Sequence, residues 1–155
     1  GYNTLGVILK NAGIDCNEIE VKSNEVFFLR DNQLIFPVAT KDKLVKKADG
    51  WALDIYVFSP RPLDDLLIEP NMPKLTLVVK AKECQLAIND KAYTAASQNR
   101  HEATYKELPL LQGWNKISIK IGERDKNEFS GNFRCDNRNE FLSSLKVMFI
   151  NPEAK

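Results

Sequence analysis

Period-two alternation dominates this chain, and it places successive side chains on opposite faces of a sheet. Leu75, Leu77, Val79 and Ala81 share one phase while Thr76, Lys80 and Lys82 share the other, which predicts a strand buried on one face and solvated on the other. Cys84, Leu86 and Ile88 alternate with Glu83, Gln85 and Asn89, so a second strand follows and runs into a turn at Asn89-Asp90-Lys91. Ile117, Ile119 and Ile121 alternate with Lys116, Ser118 and Lys120, and Phe129, Gly131, Phe133 and Cys135 alternate with Ser130, Asn132, Arg134 and Asp136.

Upstream, residues 25–30 and 33–39 flank Asp31-Asn32 and predict a tight hairpin. Trp51 to Ser59 is the longest strand candidate, stopped by Pro60 and Pro62, and Ser144 to Ile150 closes the set. Helical periodicity is confined to Thr4–Asn11 and to a turn near Asn139–Ser143. Pro60 to Pro73, with four prolines, is the one long irregular connection. About eight short strands separated by turn residues predict an all-β, two-sheet antiparallel β-sandwich with at most short helices.

Length agrees with one domain over residues 1–155, because 155 residues bury a sizeable core without disulfides or metals. The chain has 22 Lys and Arg against 21 Asp and Glu, spread along its length. A nucleic-acid footprint needs a concentrated basic face, so no nucleic-acid partner is expected. The densest cationic stretch, Lys41 to Lys47, contains Asp42 and reads as a solvated turn. No segment is apolar for long enough to insert in a membrane as a helix. Cys16, Cys84 and Cys135 are too few and too scattered for a disulfide scaffold or a zinc site. Gly1 is not preceded by Met, and no export signal is read, so the chain is expected to be part of a larger protein.

Catalysis is disfavoured by what the sequence lacks. His101 is the single histidine, no Gly-x-Ser-x-Gly elbow or Gly-rich phosphate loop occurs, and no convincing pair of carboxylates stands out. Asp64-Asp65 reads as a helix cap or a solvated pair. Sugar binding instead needs an aromatic ring to stack on the apolar face of a pyranose, beside planar polar side chains for its hydroxyls. The segment Ala92 to Tyr105, read as one polar loop, supplies Tyr93, Gln98, Asn99, Arg100, His101 and Tyr105 as the candidate ligand-binding set; the alternative is a solvated loop with its tyrosines folded back on the sheet.

Other aromatic positions carry two readings each. Trp51 is in phase with Leu53, Ile55 and Val57, which points to core packing. Trp114 is out of phase with Ile117, Ile119 and Ile121, which allows either an outward platform or packing ahead of the regular strand. Tyr56 and Phe58 share a face with Asp54 and line either a concave sheet surface or a second buried layer.

The series Gly50-Trp51-Ala52-Leu53-Asp54-Ile55-Tyr56-Val57-Phe58-Ser59-Pro60, the turn Ile88-Asn89-Asp90-Lys91, the element Leu111-Gln112-Gly113-Trp114-Asn115-Lys116-Ile117 and the aromatic strand Phe129 to Cys135 resembles a β-sandwich module found beside glycoside hydrolase domains in secreted bacterial proteins. The similarity spans residues 49–137, and residues 1–48 are unmatched. Such modules are jelly rolls similar to galactose-binding-like domains. The resemblance implies a non-catalytic carbohydrate-binding or accessory module, with an oligo- or polysaccharide and a neighbouring catalytic domain as partners. It also implies a secreted, periplasmic or cell-surface location. The alternative is a structural or protein-interaction sandwich with no glycan ligand. Related folds commonly hold a structural calcium, for which Asp64, Asp65 and Glu69 are the candidate ligands; no other cofactor is expected. The family usually carries Asn-Gly where this chain has Asn89-Asp90, so a different turn type is expected here.

Overall fold

A computed structural model of the chain describes residues 28–30, 33–36, 38–59, 75–135 and 146–149. The described strands are β1 (Phe28–Arg30), β2 (Gln33–Phe36), β3 (Val45–Lys47), β4 (Gly50–Ser59), β5 (Leu75–Lys80), β6 (Cys84–Ile88), β7 (Lys91–Tyr93), β8 (Ser97–Gln98), β9 (Ala103–Leu108), β10 (Gly113–Ile121), β11 (Ser130–Cys135) and β12 (Lys146–Phe149). Short 3-10 turns occupy Val38–Lys43 and Lys126–Glu128.

All pairings are antiparallel. Sheet A has the order β1-β2-β11-β5-β9-β8, and sheet B the order β12-β4-β10-β6-β7, with β3 also paired to β4. From β4 onward the chain crosses repeatedly between sheets, the winding of a jelly roll, so the expected two-sheet sandwich is the observed fold.

The alternating ladders explain why the sheets face each other. Leu53, Ile55, Val57, Leu86, Ile88, Ile117, Ile119 and Ile121 from sheet B form one core with Leu75, Leu77, Val79, Ala103, Tyr105, Leu108, Phe133 and Cys135 from sheet A. Burying each large aliphatic side chain stabilises the fold by about 1.5–3 kcal/mol. A register slip of one residue would turn every one of them to solvent.

Several expectations are corrected. The strand from Gln33 ends at Phe36, because Pro37 has no N–H for the ladder, and the chain continues as a 3-10 turn. Within the stretch read as a solvated turn, Val45–Lys47 forms a strand along the edge of β4, with Val45 opposite Ala52. Gly50 permits that reversal: its φ is +155°, and a Cβ there would lie 2.1 Å from the Ile121 carbonyl oxygen. Thr76, expected on a solvated face, is 1% exposed. It lies in the middle of sheet A, between Arg134 and a bulge in β9, where longer side chains flank it. That bulge places Lys106 and Glu107 opposite the single residue Thr76, with Glu107 at φ +56°.

The Asn89-Asp90 turn also differs from expectation. Both residues have positive φ, +51° and +67°, the signature of the type I′ hairpin turn that Asn-Gly would form. Asp90 tolerates this conformation, and its carboxylate reaches Lys116 Nζ at 2.9 Å. Described Cys84 and Cys135 are free thiols. The helical segments expected at Thr4–Asn11 and Asn139–Ser143 lie outside the described residues, as do the Asp64-Asp65 pair and the candidate calcium ligands Asp64, Asp65 and Glu69.

Candidate functional site

A cleft of about 760 Å³ lies over the outward face of sheet B. Strand register builds its floor. Asp54, Ser118, Ala87 and Ala92 form one rung across β4, β10, β6 and β7, and Ala52, Lys120 and Gln85 form the next. These are the residues that alternate with the core ladders, so the alternation that buries Ile119 and Leu86 aims this second set outward. Small side chains at Ala52, Ala87, Ala92 and Ser118 leave the space that larger ones would fill.

The rim comes from the edge of sheet B. Strand β7 covers Leu86 to Ile88 but stops at Tyr93, leaving Cys84 and Gln85 without a β7 partner. Tyr93, Thr94, Ala95, Gln98 and Tyr105 close the cleft there. The sheets are tied at this point by the Tyr105 hydroxyl, which donates to the Cys84 carbonyl at 3.2 Å. Burial pushes the Tyr105 hydroxyl well above its ordinary pKa, and the Cys84 contact adds to that shift. Burial likewise raises the Cys84 thiol to about 11.

Among the described residues, two charged side chains line the cleft. Lys120 is neutralised by Asp49, 2.7 Å away, and the Lys120 hydrogen bond holds the Asp49 carboxyl below its usual range. Asp54 is half-buried, and no ion pair or hydrogen bond engages its carboxylate among the described residues.

The six candidate residues read from sequence divide evenly. Tyr93, Gln98 and Tyr105 line the cleft; Asn99, Arg100 and His101 do not. The supposed single loop is in fact β7, β8 and the start of β9, and Tyr105 is 2% exposed on the inner face of sheet A. Gln98 and Asn99 are engaged in building the turn that joins β8 to β9. Gln98 Nε2 donates to the carbonyls of Ala81 (3.3 Å) and Glu102 (3.1 Å), and Asn99 Oδ1 accepts from the N–H groups of His101 (2.7 Å) and Glu102 (2.9 Å). Arg100 and His101 stand exposed at its tip.

Both tryptophans serve packing. Trp51 lies against the core, its Nε1–H donates to the Glu123 carbonyl at 3.3 Å, and Lys126 Nζ sits 3.9 Å from its ring centroid. Trp114 is half-buried and meets Phe58 edge to face at 5.4 Å and 72°. Of the face shared by Asp54, Tyr56 and Phe58, only Asp54 reaches the cleft. Tyr56 is 2% exposed, and burial, aided by the charges of Asp54 and Asp90, pushes its hydroxyl up to about 12.

The sequence reading missed what Asn115 does. It is fully buried, and its Nδ2 donates to the carbonyls of Leu111 (2.9 Å) and Gly113 (3.2 Å) while its Oδ1 accepts from Leu111 N–H (2.8 Å) and Asn89 Nδ2 (3.0 Å). Asn89 Oδ1 accepts in turn from Lys116 N–H at 2.9 Å. The Gly-Trp-Asn element thus uses Gly113, at φ +93°, to turn the chain and Asn115 to lock the turn to the β6–β7 hairpin. A buried polar residue in phase with Ile117, Ile119 and Ile121 was the available signal.

No family model and no curated protein matches the chain. Among solved structures, the chain is similar to a family 35 carbohydrate-binding module from an environmental isolate, at 12% identity and a TM-score of 0.38, covering 69% of this chain and 77% of that one. It is also similar to the family 35 module from Cellvibrio japonicus Abf62, at 16% identity and a TM-score of 0.32, covering 83% of this chain and 82% of that one.

Proposed function

We propose that the chain is a non-catalytic carbohydrate-binding module whose ligand lies in the cleft on the outer face of sheet B. The observation that carries this reading is the composition of that cleft: an apolar floor of Ala52, Ala87 and Ala92 beside Asp54, Ser118, Gln85 and Gln98, with Tyr93 at the rim. A pyranose presents the complement, a C–H face that is desolvated against the alanines and the tyrosine ring and a hydroxyl edge that pairs with the polar groups. Backbone strands hold the floor, so little ordering free energy is lost on binding. The structural or protein-docking alternative would draw on an exposed apolar patch; among the described residues, the large hydrophobic side chain at the surface is Leu111, at 43% exposed.

The series that includes Gly113-Trp114-Asn115 supports a wider context, in which the module serves a larger, exported glycan-degrading polypeptide and keeps its catalytic domain near the substrate. Affinity electrophoresis through gels containing soluble xylans, mannans, glucans, galactans and pectins tests the binding reading. Retardation in at least one gel is expected, reduced at least tenfold in apparent affinity by A87F, which fills the cleft. Free migration in every gel by folded protein would remove the proposal.

A further inference from the structure

We infer that the cleft selects uncharged sugar residues over uronates, and that Asp54 is the residue that makes the selection. This rests on the binding role just proposed and specifies its ligand. The local charge balance gives the reason. Lys120 is the cleft's one cation among the described residues, and its charge is already matched by Asp49 at 2.7 Å. Lys116, on the neighbouring outward rung, is likewise matched by Asp90 at 2.9 Å. Among the described residues, Asp54 therefore leaves one uncompensated negative charge on the floor.

A carboxylate is an acceptor only, with two oxygens able to take hydrogen bonds from two adjacent hydroxyls. Vicinal diols of a neutral hexose or pentose fit it. A uronate would bring a second negative charge beside Asp54, where, among the described residues, the neighbouring Lys120 and Lys116 are already paired. Neighbouring geometry favours the same ligand: Ser118 stands beside Asp54 on the same rung and can donate to or accept from a ring hydroxyl, while Ala87 and Ala92 continue the rung as a surface for C–H groups.

Titration calorimetry of the whole chain tests this with β-1,4-linked hexasaccharides of xylose, glucose, mannose and galactose against hexagalacturonate at the same ionic strength. At least one neutral hexasaccharide should bind at least tenfold more tightly than hexagalacturonate. In D54N, with an unchanged melting temperature, neutral binding should weaken about tenfold and the preference against uronate should shrink. Tighter binding of hexagalacturonate overturns the inference and leaves the binding role standing, as does a D54N preference equal to that of the parent chain. Absence of heat with every saccharide overturns the binding role, and the inference with it.

Discussion

The two faces of sheet B are written with the same alternation and do opposite things. Inward, Leu53, Ile55, Leu86, Ile88, Ile117, Ile119 and Ile121 are all at most 3% exposed and close a dry core with sheet A. Outward, the residues between them are Ala52, Asp54, Gln85, Ala87, Ser118 and Lys120, small or polar, and they leave a cleft. On the inner face volume decides, because each methylene removed leaves a void. On the outer face the space not filled is what makes the cleft. Two adjacent residues of one strand, Ser118 and Ile119, therefore answer to different physical demands.

That contrast can be broken in graded steps. The largest effect is expected from I119A, which should cost about 2–5 kcal/mol in urea unfolding through lost burial and an unfilled cavity. Next comes N115A, which keeps the chain's outward face intact but strips partners from Leu111 N–H, Asn89 Nδ2 and three carbonyls; about 2–4 kcal/mol should be lost in the same assay. A loss below about 1 kcal/mol would show that the buried amide is not the lock described above.

Alkaline unfolding gives a third, smaller contrast, between a tyrosine on each sheet. Tyr56, on the outer side of sheet B, has a folded pKa of about 12 against an ordinary 10, and Tyr105 is raised as well. A raised folded value means the contribution is fully present below pH 10 and is lost as pH climbs toward 12. Unfolding followed by near-ultraviolet circular dichroism should set in within that window, and Y56F should move its midpoint upward. The smallest effect is expected from S118A, within about 0.5 kcal/mol of the parent stability, while binding of any neutral hexasaccharide ligand weakens measurably in titration calorimetry. A stability loss as large as that of I119A would erase the distinction between the faces.

Fold class was legible because period two survives along β5, β6, β10 and β11. Local backbone events were less so. Glu107 occupies a left-handed position in a bulge, and Asp90 in a hairpin turn, with no glycine to announce either. The lining of the cleft was legible only in part. Residue type pointed to Tyr93, Gln98 and Tyr105, which line it, and equally to Asn99, which spends its side chain on the turn itself. The alanines of the floor were invisible, because an alanine's contribution to a cleft is room, and room depends on neighbours brought together from four strands.

Asn89 and Asn115 are 26 positions apart, and their side chains meet at 3.0 Å. Without Asn115 the Asn89 Nδ2 loses its acceptor, whereas Asn115 keeps its partners in Leu111 and Gly113, so homologous chains that keep Asn89 should keep Asn115 as well. A lineage that swaps Asn115 for an aliphatic residue should show Asn89 replaced in step, and that paired substitution would mark the join between hairpin and loop even where no other residue is shared.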